Sequence, residues 1–293
     1  MNKIGNVDYH IHYFIDKCAK DEMTINQIEK TAFELGLKEI CILKHYCEAL
    51  PNHESEFITW YQINQIEFDY FVNDFKTHHS QCNINMLSGV ETELLDDQGH
   101  INIPQDKIDQ IDMIALSCHW LPNLEGLPLD LMYYPDVDFY QDANQRSIVS
   151  NELNQWIEKV NQINVIDIIS SYIQGYVRAI EQQTKIKTLS HMYDGLFPLD
   201  LYHIPVHLIA PKTLLGLMNP LFEICAKRNV LWELINVPVK RPYILHHAAK
   251  QGVKFCASSD AHMIQNGWGN LIDHYKTEEY ISSLGLPKGV VLL

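Results

Sequence analysis

Short apolar runs of strand length alternate along the chain with longer stretches in which apolar residues recur at helical spacing. Ile25, Ile28, Ala32 and Leu35 fall on one helical stripe, and E-I-C-I-L over 39–43 follows as a buried strand candidate. Thr24 and Gln27 form a capping box before that stripe, and Gly36 supplies a stop after it. The succession repeats, with strand candidates at 84–90, 113–117, 188–190, 230–232 and 254–257. Helix-like stretches run over about 55–78, 150–183, 212–228 and 241–251. Repeated βα units imply parallel strands covered by helices, and their number within one domain-sized chain predicts an α/β barrel in preference to an open sheet. The Pro-, Asp- and Tyr-rich stretch 120–150 breaks the rhythm. Long loops in compact domains usually carry function, so 120–145 is expected to cover the active site.

Composition narrows the class. With 293 residues and 46% hydrophobic content, the chain can bury one large core, and 1–293 is read as a single domain. A formal charge of −15 excludes sequence-independent binding to nucleic acid or to an anionic membrane, which needs Lys and Arg. The cysteines at 18, 41, 47, 82, 118, 225 and 256 are odd in number and contain no Cys-x-x-Cys pair. That pattern suits a reduced, cytoplasmic protein better than a disulfide framework. The N-terminus lacks the apolar core of a secretory signal, and no apolar run has the length of a membrane span. Oligomeric state is left open.

The chemistry lies at the strand ends. In V-D-Y-H-I-H, residues 7–12, strand alternation puts His10 and His12 on one face. Two imidazoles so placed are a metal-ligand arrangement, although two surface histidines would look the same. The later strand candidates decide between these. His45 follows the second, Glu91 ends the third, His119 follows the fourth and His191 the fifth. Glu233 ends the sixth, and Asp260 and His262 close the last in S-S-D-A-H. In a βα barrel these strand ends converge on the face where active sites sit. The remaining histidines fall mostly in helix or loop segments and are read as solvated or structural.

D-Y-H-I-H, I-L-K-H-Y, G-V-E, S-C-H, L-S-H, W-E-L-I-N and S-D-A-H, taken in this order, resemble the polymerase and histidinol phosphatase (PHP) domain family. The resemblance runs from Val7 to His262. It implies a distorted (βα)7 TIM-like barrel holding two to three divalent metals, Zn, Fe or Mn, at the C-terminal ends of the strands. Carried over, His10, His12, Glu91 and Asp260 bind one metal, and Glu91 bridges to a second held by His119 and His191. His45 and His262 bind the third. The family takes a further third-site ligand, usually His or Asp, from the loop six residues after the second histidine of the opening motif. Here that position is Cys18, with Asp16 as its competitor. A thiolate would favour Zn or Fe over Mg. Two positions depart from the family pattern. Lys44 stands where Asp is usual and is expected to point away from His45. The family's Glu-x-Asn is stretched here to Glu233 and Asn236, so Glu233 is taken as lining the site without ligating. Glu93, on the face of Glu91, is read as an orienting or solvent-facing acid.

Metals about 3.5–4 Å apart share a hydroxide and clamp the oxygens of a phosphoryl group in in-line displacement. The expected function is therefore hydrolysis of a small phosphomonoester by a metal-bridging hydroxide, and the resemblance makes L-histidinol phosphate the best single substrate. Glu91, His191 and His262 are the expected catalytic residues, the histidines as proton donors to the leaving oxygen. Trp120, Arg178 and Arg241 are candidates for substrate contact, against the plainer alternative of exposed helix arginines. The competing expectations are another metal-dependent hydrolase, acting on a phosphodiester, nucleotide or amide-type bond, and a non-catalytic PHP module.

Overall fold

The computed structural model describes residues 6–47, 65–79, 83–119, 154–267, 269–287 and 289–292. Eight strands form one sheet in sequence order: β1 (Val7–His12), β2 (Glu39–Tyr46), β3 (Asn85–Glu93), β4 (Met113–Ser117), β5 (Ile186–Leu189), β6 (Leu231–Leu234), β7 (Phe255–Ala257) and β8 (Val291–Leu292). Each neighbouring pair is parallel. The helices are α1 (Ile25–Leu35), α2 (Gln65–His79), α3 (Gln105–Ile108), α4 (154–160), α5 (Val165–Gln182), α6 (Phe197–Leu201), α7 (Pro211–Arg228), α8 (Pro242–Lys250) and α9 (His274–Ser283). The sheet curls. Past β7 the chain returns to β1, where Ala261 N–H donates to the His10 carbonyl at 3.1 Å and the Ala261 carbonyl accepts from His12 N–H at 2.8 Å. β8 instead pairs with Phe255 and Cys256 of β7.

Among the described residues the sheet thus has eight strands where seven were expected. The terminal V-V-L-L is too short to show a period, and its pairing rests on a contact remote in sequence, Phe255 N–H donating to the Val290 carbonyl at 2.8 Å. The stretch 150–183 is also not one helix. Asn164 breaks it, its side chain accepting from Ile166 N–H at 3.1 Å and capping α5. The start of α1 is as expected, with Thr24 Oγ1 accepting from Gln27 N–H and Gly36 left-handed at φ 83°.

Two packing layers flank the sheet. Most buried apolar residues join the strands to the helices. A small inner cluster of Cys41, Leu43, Met113 and Ala115, with Tyr9 and Leu87 against it, fills the other face. Alternation continues that inner face up each strand to His45 on β2, to Glu91 and Glu93 on β3, and to Ser117 on β4. Parallel register sets His45 beside Glu91. A bulge in β1 places Tyr9 and His10 together opposite Cys41, so both reach the inner face. Gly89, between Leu87 and Glu91, leaves room for the cluster, since a Cβ there would lie 2.7 Å from Cys41 Sγ and 2.7 Å from a Leu43 methyl. The cluster is thus a solid floor beneath the polar strand ends.

A buried charge cluster braces the outer side of β1. The His274 ring lies 3.1 Å from Asp8 Oδ2 and 3.4 Å from Glu278 Oε1. Asp8 Oδ1 in turn accepts from His10 N–H and Ser259 N–H. Burial opposes the charge on His274, but Asp8 and Glu278 outweigh it and raise the pKa to about 9. The unfolded value is about 6.5, so this stabilisation is complete below pH 6.5 and lost as pH rises through 9, at about 3 kcal/mol in total. Chemical denaturation in zinc-containing buffer should show wild type losing stability over that window, while His274→Gln loses much less. A wild-type stability that stays flat over the window would contradict this account.

Candidate metal centre

Nine of the residues expected to ligate meet at the C-terminal ends of the strands, and four compact groups of donors arise among them: His10, His12 and Glu91; His10, His191 and Asp260; Glu91, His119 and His191; and His12, Cys18, His45 and His262. In the first region the donor atoms trace most of a tetrahedron. His10 Nε2 and His12 Nε2 are 3.0 Å apart, and they lie 3.4 and 3.6 Å from Glu91 Oε2 and 3.3 and 3.3 Å from Asp260 Oδ1. A zinc ion with ligand bonds of about 2.0–2.1 Å would separate its ligands by about 3.3 Å.

Glu91 presents its two oxygens to different groups. Oε2 faces His10, His12 and, at 3.2 Å, His45 Nδ1, while Oε1 faces His191 Nδ1 at 3.5 Å and His119 Nε2 at 3.9 Å. Both oxygens are buried without a hydrogen-bond donor, as is Asp260 Oδ1. Such atoms are rare in folded proteins and costly unless a cation satisfies them. Burial raises the pKa of both acids, but His10 and His191 outweigh it and hold them ionised well below the usual carboxylate range.

A ring of partners fixes which nitrogen faces inward. His10 Nδ1 lies 2.9 Å from Glu233 Oε2, and His12 Nδ1 lies 3.2 Å from Asp16 Oδ2. His119 Nδ1 lies 2.5 Å from Glu93 Oε1, which also accepts from Ser117 Oγ at 2.6 Å. With each Nδ1–H donated outward, His10, His12 and His119 turn their Nε2 lone pairs toward the centre. The Nε2 atoms of His10 and His12 lie 3.0 Å apart, a separation that a shared proton or a bound cation would bridge. The carboxylate and imidazole donors therefore fit a zinc-type ion. His191 and Asp260 hold their places at left-handed backbone angles, φ 50° and 49°. Non-glycine residues adopt these at a cost that clusters at functional sites.

Asp16 and Cys18 differ in their contacts. Asp16 Oδ1 takes the Lys44 ammonium, both its oxygens accept from His45 N–H, and Oδ2 orients His12. Asp16 is thus engaged by Lys44 and by the backbones and rings of its neighbours, and Cys18 is the member of the pair that joins the His12, His45 and His262 group. The rings of His45 and His262 flank that of His12, with centroids 4.4 and 4.2 Å away. Lys44, on the face opposite His45, reaches the site's framework through Asp16.

Glu233, expected to line the site, is not among the described pocket-lining residues and meets the centre through His10. Two of the residues expected to contact substrate, Arg178 and Arg241, are not among the described pocket-lining residues. Arg178 is spent on α5, donating to the Asp97 carbonyl at 2.8 Å and holding the 96–100 turn. Arg241 ion-pairs with Asp194 at 2.9 Å and Asp200 at 2.6 Å, and is no part of the pocket lining. In both cases the guanidinium finds an acceptor in its own tertiary neighbourhood. Trp120 and the expected loop 120–145 lie outside the described residues. Sequence reasoning missed Lys17, which lines the pocket with Cys18, and the apolar wall of Met192, Tyr193 and Phe197. The position of that wall directly after His191, in H-M-Y-D-G-L-F, was the available signal. The pocket above the donors holds about 730 Å³.

No family model and no curated protein sequence matches the chain. Its structure is similar to that of histidinol phosphate phosphatase from Lactococcus lactis subsp. lactis, solved with zinc, L-histidinol and phosphate. The TM-score is 0.53 at 14% identity, covering 97% of this chain and 95% of that one. It shares that fold. A putative histidinol phosphatase from Listeria monocytogenes is similar too, with a TM-score of 0.53 at 15% identity over 87% of this chain and 95% of that one. The expected α/β, TIM-like class agrees with these neighbours. No helix among the described residues is long and apolar enough to cross a membrane.

Proposed function

We infer that the chain is a metal-dependent phosphatase that hydrolyses small phosphomonoesters at this centre, with L-histidinol phosphate as the best single substrate. The carrying observation is Glu91, a buried carboxylate whose two donor-less oxygens face two sets of imidazoles. The fold neighbour solved with zinc, L-histidinol and phosphate supplies the substrate class. In this reading His10, His12, Glu91 and Asp260 hold one ion, and Glu91, His119 and His191 hold a second. His45, His262 and Cys18 hold a third, with His12 packed between the two histidine rings. When bound, the ions supply a water of lowered pKa and positive charge for the phosphate oxygens.

The chain's own residues then position and exclude. Glu233, Asp16 and Glu93 keep His10, His12 and His119 in one tautomer, and the apolar floor shuts out bulk water from below. The proton for the leaving oxygen is reassigned. His262 donates Nδ1–H to the Asp260 carbonyl at 2.8 Å, which in this reading leaves Nε2 as its ligating atom. His191 faces Glu91 through Nδ1 and Asp260 Oδ2 through Nε2, 3.3 Å away, so its N–H is held by a carboxylate. Among the described lining residues the protic groups other than histidine include Lys17, Ser190 and Tyr193.

Assay of the zinc-, manganese- or iron-loaded protein against phosphomonoesters and phosphodiesters is the direct test. Histidinol phosphate and p-nitrophenyl phosphate are expected to turn over, and bis(p-nitrophenyl) phosphate at least about tenfold more slowly, because metal clamping suits a terminal phosphate with its oxygens unblocked. A diester preference would move the assignment to a phosphodiesterase. No turnover of any monoester with any of the metals would overturn the phosphatase reading.

A further inference from the structure

The sheet does not close by a continuous ladder. β1 is an edge strand, and the segment beyond β7 meets it through an isolated parallel bridge between Ile11 and Ala261. The free edge of β7 is taken by β8 instead. The curled sheet therefore has a seam, and part of the metal centre lies across it. His10 and His12 come from β1 on one side, Asp260 and His262 from the segment beyond β7 on the other. Across the seam, Asp260 Oδ1 lies 3.3 Å from both His10 Nε2 and His12 Nε2. The donors of the second ion, Glu91, His119 and His191, end or follow β3, β4 and β5, away from the seam.

One carboxylate touches both sides. Asp8 Oδ1 accepts from His10 N–H at 3.1 Å and from Ser259 N–H at 3.2 Å, so it holds the backbone of one ligand and of the residue before another. Its other oxygen faces the His274 ring, which sits between Asp8 and Glu278 at the start of α9. Asp8 and His274 are both fully buried. The raised pKa keeps the ring charged near pH 7. A buried carboxylate without a counter-charge is costly, and an ionised acceptor holds N–H groups roughly twice as strongly as a neutral one. His274 thus sustains the acceptor on which both backbone bonds depend. Further bonds cross the seam from the loop after β1, Lys20 N–H donating to the His262 carbonyl at 2.8 Å and Ile264 N–H to Glu22 Oε1 at 2.9 Å. They keep the two sides joined when Asp8 loosens, so substitutions at 274 should leave a folded chain.

A zinc ion asks its donors to stand about 3.3 Å apart, a spacing that the two sides of the seam must supply together. Resting on the metal assignment above, we propose that His274 is a positioning residue for the ions that span the seam. Through Asp8 it fixes the β1 histidines against Asp260 and His262, and α9 thereby governs metal affinity without supplying a ligand.

Zinc titration against a competing chelator tests this without any substrate. His274→Ala should weaken the seam-spanning equivalents by about 10–100-fold, the usual cost of losing a partner behind the ligands, and leave one equivalent close to wild-type affinity. His274→Gln, whose amide can donate one hydrogen bond to Asp8, should keep part of the affinity, and it carries the test if His274→Ala fails the circular-dichroism check of folding. Ile281→Val is the control. It removes a buried methyl from the same helix without touching Asp8, so it should lower stability and leave zinc affinity unchanged. Wild-type affinities in both 274 variants, an equal loss at all equivalents, or an equal loss in Ile281→Val would overturn the positioning role and leave the metal assignment standing. Wild type that binds no zinc would overturn the assignment itself.

Discussion

Glu91→Gln should remove metal from two sites at once and lower turnover by at least about 100-fold, beyond what loss of an orienting partner alone costs. The amide keeps the volume but gives up the charge, and it can present an oxygen to only one of the two imidazole groups that Oε1 and Oε2 now face. The fold should survive, since the floor of Cys41, Leu43, Met113 and Ala115 lies below the substitution and remains packed. Circular dichroism should therefore match wild type while metal analysis and turnover both fall. Glu93→Gln is the contrasting variant. Glu93 touches no proposed ion and acts by holding His119 at 2.5 Å, so its loss should weaken the second site by about 10–100-fold and spare the first. If the two variants lose metal equally, Glu91 is not the bridge.

Cys18→Ser should lose about one metal equivalent, since a hydroxyl is a far weaker ligand than a thiolate for Zn or Fe. In the metal-free site burial and the charges of Asp16, Glu91 and Asp260 raise the thiol pKa, so the sulfur holds its proton until an ion displaces it. Binding of the third equivalent should therefore release a proton, and affinity for it should rise with pH. Cobalt loading adds a spectroscopic readout, because sulfur-to-cobalt charge transfer should appear in wild type and vanish in Cys18→Ser. Asp16→Asn should behave differently. It leaves Lys44 buried without its carboxylate and frees the His12 ring to turn, so it should disturb stability and first-site affinity together. Unchanged stoichiometry in Cys18→Ser would remove the thiolate from the centre.

The positions of the donors were legible in the sequence because they depend on short-range rules. Strand alternation puts His10 with His12 and Glu91 with Glu93, and parallel strands bring successive C-terminal ends to one side. The helix signals were similarly local, as Thr24, Gln27 and Gly36 illustrate around α1. The signals failed where the pattern was too short, as at β8, or where one polar residue interrupted a long one, as at Asn164.

The sequence by itself determined that a set of imidazoles and carboxylates would converge on one face of a parallel α/β sheet. Only the tertiary structure decided what each acid does. Glu93 and Glu91 are the same residue type on the same face, yet Glu93 holds the His119 ring at 2.5 Å while neither oxygen of Glu91 receives a hydrogen bond. Glu233 reaches His10 across 223 positions, and Lys44 takes Asp16 across 28, which turns Asp16 from a candidate ligand into a brace and brings Cys18 into the His12, His45 and His262 group. Arg241, expected to contact substrate, is drawn instead to Asp194 and Asp200. A strand pattern fixes the direction of a side chain to within a face. The choice among partners turns on separations of an ångström or less, which only the packed chain sets.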